Sequence, residues 1–102
     1  MAKKGYWIAV GKLTNPEGLN SYAEVLVKWL PTVGGSFFIT DLASIEKEGS
    51  NGHSTVVIEF PSKEAAIYAY ESHEYQEMIA MRTPFSDLQL SIVEGKETRY
   101  VL

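Results

Sequence analysis

The chain has 102 residues, enough for one domain with one core, and its 45% hydrophobic and 22% charged residues describe a folded globular chain. A formal charge of -4 with scattered basic residues argues against a nucleic-acid partner. With no cysteine, disulfides, zinc–thiolate sites and thiol nucleophiles are excluded. No apolar run approaches a membrane span, and "YWIAV" is too short for a secretory signal, so no membrane partner and a cytoplasmic location are expected.

Residues 6–13 are rich in β-formers and predict a first strand. In "TNPEG", Thr14 or Asn15 can cap a helix whose first turn takes Pro16 and Glu17. From 19 to 33 the apolar residues fill one broad arc of a helical wheel, with Glu17, Asn20, Ser21, Glu24, Lys28 and Thr32 opposite, and Gly34–Gly35 offers the left-handed exit. "SFFITDL" predicts a second strand running on to Ile45. "EKEGSNGHS" predicts a hairpin loop built on Asn51–Gly52.

Residues 54–60 predict the third strand, ended by Pro61. Ser62 and Ser72 are each placed to cap a helix, over 63–71 and 73–81. Thr83–Pro84 breaks the pattern, residues 88–93 alternate as a fourth strand, and "KETRYVL" follows as an extension with some strand character. The order β-α-β, β-α-β predicts an α+β, ferredoxin-like βαββαβ sandwich: an antiparallel four-stranded sheet with its helices on one face. The domain is expected over 1–95, with 96–102 as a C-terminal extension that packs on a partner subunit. No internal repeat or linker suggests a second domain.

Alternation along each strand sorts side chains onto two faces. Trp7, Ala9, Leu13, Phe37, Ile39, Val56, Ile58, Phe60, Leu88, Leu90 and Ile92 make a complete helix-facing core. Left over for the other face are Tyr6, Ile8, Val10, Lys12, Ser36, Phe38, Thr40, Thr55, Val57, Glu59, Gln89, Ser91 and Val93. That face is too apolar for water, and its closure against a second copy is the economical explanation. The homodimer so formed encloses a sheet-lined pocket. Tyr6, Ile8 and Phe38 supply its apolar walls, Thr40, Gln89, Ser91 and Glu59 orient polar groups, and Arg82 guards its entrance.

Several stretches together are specific. "GYWIA", "NPEGLNSY", "VGGSFF", "VVIEFPSKEAA", "ESHEYQEMIAMR" and "LSIVEG", spanning residues 5–95, resemble the bacterial family catalogued as domain of unknown function 1330. The resemblance implies the dimeric α/β-barrel superfamily and a homodimer. That superfamily includes cofactor-free monooxygenases, muconolactone-isomerase-like enzymes and proteins without known activity, and the family itself has no established reaction. Where members often carry arginine this chain has Ser36 and Thr40, and His73 stands in place of a frequent proline.

Glu59 reads either as a general base or acceptor in a partly desolvated pocket, or as a strand-end carboxylate paired with Lys12 or Arg82 or simply solvated. Arg82 holds an anion or neutralises a helix C-terminus. His53 and His73 lack metal-ligand spacing and read as surface residues, and no metal and no cofactor are expected. Tyr68, Tyr70 and Tyr75 read as packing and rim residues rather than a stacking platform. The expected function is binding of a small aromatic or carbonyl compound; the resemblance implies a cofactor-independent monooxygenase- or isomerase-like activity as its enzymatic form. The alternative is a non-catalytic assembly module whose lumen is filled by its partner.

Overall fold

The computed structural model describes residues 3–98 and 100–102. Four strands, β1 (Gly5–Leu13), β2 (Ser36–Asp41), β3 (Ser54–Phe60) and β4 (Ser86–Glu94), form one antiparallel sheet in the order β2-β3-β1-β4. Three α-helices, α1 (Asn20–Trp29), α2 (Lys63–Glu71) and α3 (His73–Arg82), pack on one face of it. This is the α+β arrangement that the element order predicts. Among the described residues no helix is long and apolar enough to cross a membrane.

The caps fall where the sequence puts them. Asn15 Oδ1 accepts from the Gly18 backbone N–H at 3.3 Å and opens a short 3-10 turn, Pro16–Leu19, ahead of α1. The single helix expected to 33 divides after Trp29, because Pro31 has no N–H to continue the ladder and residues Leu30–Val33 tighten into a second 3-10 turn. Gly34 leaves that turn with φ of 77°, a left-handed conformation costly to any residue with a Cβ. Ser62 and Ser72 accept from the N–H groups of Ala65 and Tyr75, at 3.0 and 3.2 Å. Ser72 also closes α2, donating its hydroxyl to the Ala69 carbonyl at 2.8 Å.

Helix and sheet meet over Trp7, Ile58, Phe60, Leu26, Leu30, Ala66, Ala69, Tyr75 and Met78, all buried. Each large side chain so buried contributes about 1.5–3 kcal/mol. Ala66 and Ala69 have no exposed surface at all, so α2 lies close on the sheet, and the Trp7 indole N–H donates to the Ala66 carbonyl at 2.8 Å.

Two expectations about β2 are corrected. The strand ends at Asp41, whose carboxylate accepts from the Ala43 N–H at 2.9 Å, and does not reach Ile45. Its register is also broken: Ser36 faces Glu59 and Phe37 faces Ile58, but Ile39 and not Phe38 faces Val57. Phe38 is the extra residue of a β-bulge, and everything after it changes sides. Ile39 therefore joins Ile8 and Val57 on the face away from the helices, and Thr40, opposite Val56, joins the helix side.

The loop 42–53 is held by Glu46. Its carboxylate accepts from the backbone N–H groups of Asn51 and Gly52 and pairs with His53 Nε2 at 3.2 Å. Asn51 Oδ1 accepts from the His53 N–H at 3.1 Å, and His53 itself holds a positive φ of 68°. The two Asn51 and Gly52 N–H groups pull the Glu46 carboxyl below its usual range, Asn51 most strongly and against a smaller opposing effect of burial.

Candidate functional site

The helix face of the sheet is not filled evenly. At one end Trp7, Ile58 and Phe60 are large. Farther along the same face stand Ala9, Val56 and Ser54, too small to reach α1. The shortfall leaves a cavity of about 290 Å³ between sheet and helices. Ala9, Val56, Ile58, Leu88 and Leu90 make its floor, and Leu19, Tyr22, Ala23 and Leu26 make its roof. It reaches the surface at the β2 edge, where its lining residues Phe37 and Leu42 are exposed.

One wall is polar. Tyr75 is held at the start of α3 by the Ser72 cap, and its ring is wedged among Trp7 (4.6 Å between centroids), Tyr70 (5.4 Å) and Trp29 (5.7 Å). The ring is 1% exposed, so its hydroxyl needs a partner inside the protein. It finds two: the Tyr22 hydroxyl at 2.8 Å and Arg82 Nε, which donates to it at 3.4 Å. Tyr75 and Arg82 are two turns apart on α3 and so share a face, while Tyr22 comes across from α1. All three line the cavity.

Burial pushes the Tyr22 phenol well above its ordinary pKa, the Tyr75 hydroxyl adds to the effect, and the charge and hydrogen bond of Arg82 oppose it without cancelling it. Tyr22 is therefore a neutral phenol. Burial, the largest single effect, would lower the Arg82 pKa, but the neighbouring tyrosines, Tyr75 first and then Tyr22 and Tyr70, together outweigh it and raise it. Among the described residues no carboxylate lies within ion-pairing distance of Arg82. No Asp, Glu or His lines the cavity, and no group of three such residues is placed to hold a metal ion among the described residues.

The residues singled out in the sequence divide between two faces. Arg82 and Thr40 line the cavity; Thr40 does so because the bulge turns it, which corrects its expected place on the open face. Tyr6, Ile8, Phe38, Glu59, Gln89 and Ser91 belong to the other face by register. There Tyr6 donates its hydroxyl to Glu59 Oε2 at 3.0 Å and its ring meets Phe38 at 5.8 Å. Glu59 thus pairs with a tyrosine, and neither Lys12 nor Arg82 is its partner. Gln89 and Ser91 stand opposite Val10 and Ile8, farther along the sheet. Tyr22 and Tyr75 escape a sequence reading because a tyrosine in an apolar stripe looks like packing. Their signal is the hydroxyl, which must be satisfied wherever the ring is buried.

Residues 4–96 match the family described as Domain of unknown function (DUF1330). The chain belongs to this family. Among curated proteins there is no match. Solved structures share the fold at low identity. A protein of unknown function from Rhodopseudomonas palustris, RPA0582, is 13% identical with a TM-score of 0.73, the match covering 96% of this chain and 86% of that one. SnoaB from Streptomyces nogalater, described as a cofactor-independent oxygenase, is 12% identical with a TM-score of 0.62 over 99% of this chain and 100% of its own. A Bacteroides thetaiotaomicron protein described as a possible oxidoreductase is 9% identical with a TM-score of 0.54, covering 91% and 97% of the two chains. These likenesses show that this DUF1330 chain shares the fold of those proteins, a four-stranded antiparallel sheet with helices on one face.

Proposed function

We propose that this DUF1330 protein is a homodimer in which each subunit binds a compact aromatic or carbonyl compound in the cavity between its sheet and helices. The observation that carries the reading is an apolar cavity of about 290 Å³ with a cation and two phenols in one wall. Its size lies at the lower end of small-molecule pockets, about 300–1,000 Å³, and a few polar groups in an apolar lining are what fix a ligand's orientation. A cofactor-independent oxygenation, as the description of SnoaB has it, is the reaction to assay first.

Two copies pack with the open sheet faces together. Phe38 and Ile39 are 60% and 45% exposed on that face, beside Ile8, Val10 and Val93, more apolar surface than a lone subunit leaves in water. In the dimer Tyr6, Ile8, Phe38, Glu59, Gln89 and Ser91 line the space between the sheets, and the extension 96–102 lies against the partner. Tyr100, Val101 and Leu102 are exposed apolar groups that such a contact would cover, and Arg99 lies outside the described residues.

A thermal-shift panel of small aromatic and carbonyl compounds tests the cavity, with Ala9→Leu as the control that fills its floor. Stabilisation of the wild-type protein and its loss in Ala9→Leu is the expected result. A panel without effect, or one that stabilises both proteins equally, refutes the cavity as the site. Sedimentation at micromolar concentration should show a dimer, and a monomer refutes the pairing.

A further inference from the structure

We infer that the ligand is a weak acid, a phenol or enol, and that it binds as its anion against Tyr22 and Arg82. This deepens the preceding reading and rests on the cavity being a ligand site.

The proton positions in the polar wall point this way. Arg82 can only donate, and its Nε–H is given to the Tyr75 oxygen. Tyr75, buried and already accepting, has its own proton left to give, and the Tyr22 oxygen 2.8 Å away is the acceptor in reach. The Tyr22 oxygen is then the acceptor of that pair, and the Tyr22 proton is left over. Tyr22 is on the cavity roof, so that proton is offered to whatever occupies the cavity. A neutral phenol kept protonated and a guanidinium without a carboxylate neighbour together present positive potential and a donor to an apolar space.

Such a wall stabilises an anionic oxygen. It cannot remove a proton from carbon, since among the described residues no carboxylate or imidazole lines the cavity. The ligand must therefore release its own proton to water on binding. A charge delocalised over a ring or a conjugated enol suits the apolar floor better than a compact carboxylate, which would lose more hydration on entering.

Para-nitrophenol tests this, because its phenolate is yellow and its phenol is colourless; para-nitrotoluene is its non-ionisable counterpart. On binding to the wild-type dimer the apparent pKa of para-nitrophenol should fall by roughly 1–3 pH units, the effect of a nearby opposite charge. Arg82→Gln should return it toward the free value and weaken phenolate binding about tenfold or more, while Arg82→Lys, keeping the charge, retains part of the fall. Tyr22→Phe should weaken phenolate binding about tenfold through the lost donor, with a smaller change for para-nitrotoluene. If both compounds bind and the phenol's pKa is unchanged or raised, the anion inference is overturned and the cavity reading stands. If neither binds, both are overturned.

Discussion

Tyr75→Phe removes a single oxygen atom and tests whether the polar wall exists in solution. The hydroxyl makes one short contact, 2.8 Å to Tyr22, and one long one, 3.4 Å from Arg82 Nε. A neutral hydrogen bond is worth about 0.5–1.5 kcal/mol net. The partly buried Arg82 can turn to water and recovers most of what it loses, but the Tyr22 oxygen, deprived of the proton that Tyr75 gives it, keeps only what water in the cavity offers. A total of about 1–2 kcal/mol follows, or a fall in Tm of about 4–16 °C for a domain of this size. The ring stays in place among Trp7, Trp29 and Tyr70, so no packing term is added. Urea unfolding of wild type, Tyr75→Phe, Tyr22→Phe and the double variant, at one fixed protein concentration, isolates the pair. A coupling of about 0.5–1.5 kcal/mol is expected. A value below about 0.3 kcal/mol, the scatter of independent sites, would refute the shared hydroxyl.

Phe38→Asp should convert the proposed dimer to a folded monomer in sedimentation, since the ring is 60% exposed on its own subunit and takes little part in its core; a dimer with unchanged Tm would mean that the bulge does not aim Phe38 at the open face. Glu59→Gln keeps an acceptor for the Tyr6 hydroxyl and lies across the sheet from the cavity, so fold, dimer and cavity-ligand stabilisation should all persist in thermal shift, with a stability change within about 1 kcal/mol. Loss of ligand stabilisation in that variant would contradict the cavity assignment. Glu46 has a lowered pKa in the fold, so its stabilisation is complete above the ordinary carboxylate pKa and is lost as pH falls through the lower, folded value. The Tm gap between wild type and Glu46→Gln should therefore be constant near neutral pH and close in acid; a gap that widens in acid would reverse the sign.

Local chemistry made much of the fold legible. Ser62 and Ser72 can each offer a side-chain oxygen to an N–H three residues on, and both helix starts fall where those serines put them. β3 is bounded by a glycine-rich loop and a proline, and its ends match the expectation residue for residue. The bulge was not legible because nothing in "SFFIT" distinguishes a continuous strand from one with a residue to spare. That choice is made by pairing with β3, and it moved Ile39 and Thr40 to opposite sides of the sheet. The cavity was not legible either, because it is a deficit of volume: Ala9 and Val56 are apolar and on the right face, yet too small to reach α1. Arg82 could be named from its place at a helix end, whereas its companions Tyr22 and Tyr75 come from two helices that only the tertiary fold brings within 2.8 Å.

The Glu46 clip also bears on how the protein ages. An asparagine followed by glycine is the dipeptide most prone to losing its side-chain amide, because the glycine nitrogen attacks the asparagine side-chain carbonyl to close a succinimide ring. In this loop hydrogen bonds tie both residues down, the Gly52 N–H given to Glu46 at 3.1 Å and Asn51 Oδ1 accepting from the His53 N–H at 3.1 Å, and so restrain the rotation that ring closure needs. Glu46 therefore acts as a chemical preservative for Asn51, guarding a loop that is otherwise exposed. In stored Glu46→Ala protein, which has no acceptor at that position, isoelectric focusing should show an acidic satellite band growing faster than in the wild type, and Asn51→Ser in the same background should remove it.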